Sequence, residues 1–338
     1  MMHVMETKTR KILRIILIVA LVVTLVLMLC LVFRGCCSSE APSSVPPPVP
    51  AEPMTKLASV TDTVAAAVSE TSGWLELPAV PDDLEGHHVV THRAEMEGRQ
   101  QRNYTILYDE DLFAAVWVAY PLCDAHMSSG REETWAYDPK LPESVQTSVR
   151  RGYGASIPTK NYPGNFYARG HQIPNADRSA VPQMQAQTYY STNMTPQIQN
   201  GFNGAIWAKL EEAVRSAVPD NDTLYVVTGA SFGQGAHTGQ DESMKTIVNK
   251  NDSKILPVPS HYWKALLKVK RDSKGITSAK TIGFWLQHDD LKDNSYEEFV
   301  VSVDQIEQWT GIDLFTNLSD SVESSAESQT SWASFRSY

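Results

Sequence analysis

Apolar and polar positions alternate along this chain in the manner of a β-rich protein with few helices. Short runs of period two, rich in β-branched and aromatic residues, predict strands over 87–92, 104–108 and 114–120. The acidic turn Asp109-Glu110-Asp111 separates the second from the third. Further strands are predicted over 224–227, stopped by Thr228-Gly229, then over 265–269 and 281–286, with a turn over 270–275. Ile206, Trp207, Leu210, Ala213, Val214 and Ala217 recur at helical spacing, so a helix follows Asn203 and ends at Pro219-Asp220. A short helix is predicted over 303–310. Residues 121–166 are rich in Gly, Pro and Ser and read as surface loop, closing on the turn Asn161-Tyr162-Pro163-Gly164-Asn165. Residues 233–251 read as an irregular, mobile insertion. Strands interleaved with few helices predict an α+β fold, an antiparallel β-sheet core flanked by helices.

The N-terminal pattern is different. Residues 12–33 are almost wholly apolar, long enough to cross a bilayer as a helix. Lys8, Arg10, Lys11 and Arg14 mark its N-terminal side and only Arg34 follows it, which places 1–11 in the cytoplasm and the remainder outside. The expectation is a membrane-anchored chain whose folded part is extracytoplasmic. A cleaved signal peptide or a lipoprotein at Cys36 or Cys37 is the alternative; the apolar run is long for a signal peptide and lacks an A-x-A exit. Residues 34–85 read as a Pro/Ser/Ala-rich linker, stiffened by Pro42, Pro46, Pro47, Pro48, Pro50 and Pro53. A globular domain is expected over 86–316, and a serine-rich, disordered tail over 317–338.

Composition changes this picture in two ways. The 338 residues carry a formal net charge of −10. That argues against a broad basic face for a polyanion, but leaves room for a cleft with a few placed arginines and a metal ion. Cys123 alone falls within 86–316, so that domain has no internal disulfide, and its thiol reads as a small buried hydrophobe.

Candidate chemistry concentrates in three segments. Tyr167-Ala168-Arg169-Gly170-His171-Gln172-Ile173-Pro174 sets an imidazole beside a guanidinium. Asn193-Met194-Thr195-Pro196-Gln197 follows, and then the helix start at Asn203 with Trp207 and Glu211. A base, a cation for phosphate oxygens and hard oxygen ligands for a metal are the parts needed to break a phosphodiester. An imidazole with its ordinary pKa of about 6.5 is largely neutral at pH 7 and suits the base. Glu211 lies eight residues past Asn203, a rise of about 12 Å on an ideal helix, so Glu211 is expected to act on metal-bound water rather than on the ion.

These three motifs, in this order, resemble the DNA/RNA non-specific endonucleases of the ββα-metal class, over residues 86–316. The resemblance implies DNA and RNA substrates, Mg2+ as cofactor with Mn2+ as an alternative, and products ending in 5′-phosphate and 3′-hydroxyl. It implies His171 as general base and Asn203 as metal ligand, with Asn200 its nearest rival. Asn193 is expected either to orient the site by hydrogen bonds or to make a purely structural turn. Arg169 would contact phosphate or brace its loop. Arg131, in Ser128-Ser129-Gly130-Arg131 before Trp135-Ala136-Tyr137-Asp138-Pro139, resembles the family's loop arginine and would stabilise transition-state charge. One departure stands out: Ala168 occupies the position where the family commonly has Asp.

Three rival readings come from the same residues. Gly229-Ala230-Ser231-Phe232-Gly233 matches a G-x-S-x-G elbow, with Asp289 and His261 as partners for a Ser231 hydrolase, but residues 234–239 make a poor helix start. His87, His88 and His92 suggest zinc, yet successive strand residues face opposite ways, so exposed histidines are expected. A catalytically impaired nucleic-acid-binding or surface-interaction module is the non-enzymatic alternative.

Overall fold

The computed structural model describes residues 73–233 and 244–338, all within the compact unit Val60–Tyr338. The apolar span 12–33, its flank 1–11 and most of the linker lie outside the described residues. Among the described residues no helix is long and apolar enough to cross a membrane.

The fold is a mixed α/β arrangement built on one large antiparallel sheet. Seven strands form it: β1 (His87–Met96), β2 (Arg99–Asp109), β3 (Ala114–Leu122), β6 (Leu224–Ser231), β9 (His261–Asp272), β10 (Gly275–Gln287) and β11 (Val300–Val301), hydrogen-bonded in that spatial order. Every neighbouring pair is antiparallel. Two short ribbons accompany it, β4 (Tyr167–His171) with β5 (Met194–Ile198), and β7 (Thr246–Val248) with β8 (Ile255–Pro257). The α-helices are α1 (Pro182–Gln187), α2 (Ala208–Arg215), α3 (Val303–Thr310), α4 (Asp320–Glu327) and α5 (Trp332–Arg336).

Both faces of the sheet are covered, which is why its central strands are apolar throughout rather than alternating. Val118 and Tyr120 turn to one face with Val226, Leu266 and Phe284, beneath Phe202, Trp207 and Leu210. Trp117 and Ala119 turn to the other with Val227, Trp263 and Ala265, beneath Val303, Ile306, Leu314 and Phe315. The period of two along β3 thus sorts one strand into two cores.

The ribbon β4–β5 lies on the first face and is held there by buried polar anchors. Tyr262 of β9 donates to the Pro196 carbonyl at 3.0 Å and bonds Thr195 Oγ1 at 2.9 Å. His288 accepts from the Ile198 amide at 2.8 Å through Nε2 and donates to the Pro259 carbonyl at 2.8 Å through Nδ1. Burial pushes the His288 ring down to about 3, so it stays neutral and both bonds persist.

Several expectations need correcting. The folded region starts before 86: Leu75 and Leu77 are buried, and Glu76 takes a bidentate bond from Arg102 at 2.6 and 3.1 Å. The tail 317–338 is ordered. Serine richness suggested disorder, but Leu318, Trp332 and Phe335 give it an apolar side, and Thr281 of β10 donates to the Ala326 carbonyl at 2.7 Å. Part of 233–251 is also fixed, because Asn249 is buried and donates to Thr147 Oγ1 and the Ser148 carbonyl, both at 2.8 Å; residues 234–243 lie outside the described set. His92 is not exposed; it is buried against Asp138 at 2.9 Å. Cys123 is half-buried, in no disulfide, with its Sγ 3.5 Å from His126 Nδ1. Ser231 closes β6 in register with His261 instead of standing on a strand-to-helix elbow, which removes the hydrolase reading.

Phe335 is 1% exposed and packs beside Trp332 in the main core. Phe335→Ala should lower unfolding stability by about 3 kcal/mol. A urea unfolding midpoint equal to that of the unsubstituted chain would show that the tail adds nothing.

Candidate active site

Residues from three separate parts of the chain line one open cleft of about 880 Å³: Arg131, Trp135, Arg169, His171, Asn203 and Glu211. Arg169 and His171 are two apart on β4 and project to the same side. Gly170 between them has its own reason to be glycine. A β-carbon there would sit 2.6 Å from the side chain of Gln197, which pairs with Ala168 on the adjoining β5.

The imidazole of His171 is packed in aromatics. Trp135 lies 5.6 Å away between ring centres, and Tyr189 meets it edge-on at 5.3 Å. Nε2 is buried without a hydrogen-bond partner. Burial, with Arg131 and Arg169 nearby, lowers the ring to about 3. His171 is therefore neutral at pH 7.

The two arginines are themselves positioned. Arg169 stacks on Trp135, its guanidinium carbon 3.6 Å from the ring centre, and donates to the Val149 and Arg150 carbonyls at 3.1 and 3.3 Å. Arg131 pairs with Glu133 at 2.9 Å, and Glu133 also accepts from Trp135 Nε1 at 2.9 Å. Trp135 thus organises both cations and the histidine.

Across the cleft the chain leaves β5 and turns at Gly201, whose φ of +89° is a left-handed conformation suited to glycine. The helical run that follows the kink at Asn200 and Gly201 carries Asn203 and continues into α2, whose first turn holds Glu211. Asn203 donates its amide to Gln199 Oε1 at 3.0 Å, which leaves its carbonyl oxygen as a free acceptor on the cleft wall. The rival Asn200 does not line the cleft; its backbone amide and carbonyl are taken by Asn165 at 2.9 and 2.7 Å. Burial raises the Glu211 carboxyl, opposed by the Lys264 ammonium, which favours the ionised form. Lys264 is fully buried, 4.6 Å over the Trp207 ring and 3.2 Å from Thr228 Oγ1.

Asn193 is the one candidate outside the cleft. It is fully buried, accepts from the Ile173 amide at 3.0 Å, and donates to the Ile173 and Thr188 carbonyls at 3.0 and 2.8 Å. Its side chain is used up in clamping the segment after His171 to the start of β5, so it positions the site and touches nothing in it. Ala168 lines the cleft and offers no polar atom there.

Sequence reading missed Trp135 as an organiser, Gln199 as the partner of Asn203, and Lys264. The signal for Lys264 was present, since a lysine in the middle of the apolar strand Tyr262-Trp263-Lys264-Ala265-Leu266 has to be buried with a partner.

Comparison with known proteins agrees with this geometry. The family described as DNA/RNA non-specific endonuclease matches residues 88–321. A nuclease of Nostoc sp. is 27% identical over 234 residues, covering 68% of this chain and 77% of that protein. A nuclease of Serratia marcescens is 28% identical over 228 residues, covering 67% and 77%. The solved EndoG/EndoGI complex shares the fold, with a TM-score of 0.50 at 18% identity over 69% of this chain and 89% of that one. With the family matched over residues 88–321, more than half of the chain, the assignment follows: this protein is an endonuclease and belongs to the DNA/RNA non-specific endonuclease family.

Proposed function

We propose that the cleft hydrolyses phosphodiester bonds of DNA and RNA with His171 as general base and a divalent cation held at Asn203. The observation that carries this is the meeting of His171, Arg131 and Arg169 with Asn203 and Glu211 around one cleft. The ribbon β4–β5 leading into the helix of Asn203 and Glu211 supports reading this site as a ββα arrangement.

The donor set fits a hard cation. Asn203 presents a carbonyl oxygen whose amide partner is already engaged, and Glu211 adds a carboxylate on the same wall. All-oxygen donors suit Mg2+, with Mn2+ as a substitute. When bound, the cation supplies charge to the phosphoryl and leaving oxygens.

The chain's own residues do the rest. His171 is neutral and, with Nε2 sealed from solvent, takes a proton from the attacking water at Nδ1. Arg131 and Arg169 stand beside it to meet the extra negative charge of the transition state. Glu211 accepts hydrogen bonds from water beside Asn203. Little sequence preference is expected, because these charges address phosphate, which carries no base information. Exposed Phe166 on the rim offers a face on which any base stacks.

We further propose that residues 12–33 anchor the chain in a membrane with the nuclease domain outside the cytoplasm. The apolar run and its basic N-terminal flank support this.

His171→Ala should lower kcat on plasmid DNA and on RNA at least about 100-fold with little change in KM. EDTA should abolish cleavage, and Mg2+ should restore it. Undiminished digestion by His171→Ala would remove the residue from this role, and no cleavage by the folded chain in Mg2+ would favour a binding module instead.

The His171 ring should remain neutral as pH falls through 6.5, because its folded pKa is depressed. Ring nuclear magnetic resonance signals should show no titration between pH 8 and 5, and Arg131→Gln should move the midpoint upward. A midpoint at or above 6.5 in the unsubstituted chain would contradict the burial argument.

In intact cells, external protease should cut the folded domain away while leaving a membrane-bound N-terminal fragment. Full protection of the domain until lysis would contradict the topology.

A further inference from the structure

Apart from the cleft, α3 and α4 turn carboxylates toward one another. Asp304 and Glu307 are one turn apart on α3 and share a side of it. Glu327 closes α4. One ligand oxygen from each of the three lies within 4.8 Å of the others.

Their surroundings differ. Asp304 is exposed to solvent. Glu307 is half-buried, and its Oε1 accepts from the Leu314 amide at 2.7 Å. Glu327 is only 6% exposed, and its Oε1 is buried with no hydrogen-bond partner. An ionised carboxylate in that position is costly unless a proton or a cation offsets it. The charged groups acting most strongly on Glu327 are themselves carboxylates, Glu307, Glu323, Asp304 and Asp313. Glu323 also carries a buried oxygen without a partner.

The donors are all oxygen, and the exposed edge at Asp304 admits water to complete a shell. Three carboxylates drawn from two helices suit an ion that accepts an irregular shell of roughly six to eight oxygens. Calcium does so. Magnesium demands a near-ideal octahedron and keeps most of its waters.

We propose that Asp304, Glu307 and Glu327 form a calcium site that clips α4, and through it the C-terminal α5, to α3. The site is separate from the catalytic cleft, whose ligand comes from the turn Gln199–Trp207. Its effect falls on the stability of the C-terminal segment and not on the hydrolytic chemistry.

The test uses the purified full chain, stripped of metal and studied at pH 7.5 by calorimetric titration with CaCl2 and by thermal unfolding. At a hundredfold excess over Kd, calcium should raise Tm by roughly 5 °C or more. Glu327→Gln should lose one equivalent of bound calcium together with that rise, and should keep Mg2+-dependent cleavage. Asp304→Asn, at an exposed position that leaves packing intact, should lose the same equivalent even if the buried substitution disturbs folding. Asn203→Ala should retain it, which separates this site from the cleft. Equal calcium stoichiometry and equal Tm shifts in the unsubstituted chain, Glu327→Gln and Asp304→Asn would overturn the proposal. So would a Tm that ignores calcium and rises only as pH is lowered toward 6, since the cluster would then be held by protons.

Discussion

The attachment of one two-stranded ribbon to the main sheet is what the rest of the site depends on. β4 carries His171 and β5 leads to Asn203, so both sides of the proposed chemistry hang on how that ribbon is seated. Tyr262 and His288 seat it from the sheet side through bonds to Thr195, Pro196 and Ile198. Asn193 seats it from the other end by joining the segment after His171 to the turn before β5. Each of these anchors is buried, and each spends its hydrogen bonds on backbone or hydroxyl groups, so the ribbon has little freedom to slide. A shift of one residue would turn His171 away from the cleft.

The cleft is a polar site built on an apolar platform. Trp135 packs against the imidazole and carries the Arg169 guanidinium on its ring, and Arg131 lies over Tyr189. Burial first, then the two arginines, hold the histidine well below its ordinary pKa. On the opposite wall burial raises the Glu211 carboxyl, and the buried Lys264 ammonium opposes that shift. The net charge of −10 is then no obstacle, because the positive charge that matters is concentrated beside the reacting groups rather than spread over a face.

Much of this was legible in the chain. The strands around Val118, Val226 and Leu266 were plain because both their faces are buried, leaving continuous apolar runs. The three motifs placed four of their five candidate residues in one cleft, and Arg131 from a separate loop lines it as well. The features that escaped detection depend on long-range packing. The electrostatic influence of Lys264 on Glu211 links residues distant in sequence, and nothing local marks it beyond a charge inside an apolar strand. Order in the tail rests on two aromatics, Trp332 and Phe335, which a serine-rich composition conceals. Asn193 shares a motif with true site residues, and only coordinates reveal that its carboxamide faces backbone on every side.

The central claim is that an imidazole and an oxygen-ligated divalent cation work from facing walls of one cleft. Anomalous scattering from Mn2+ bound to crystals of the protein tests it most directly. The account predicts a peak in direct coordination with the carbonyl oxygen of Asn203, with Glu211 reaching it through water and the His171 ring across the cleft, not bonded to it. A peak ligated by His171, or none within reach of Asn203 in crystals of active protein, would contradict the account.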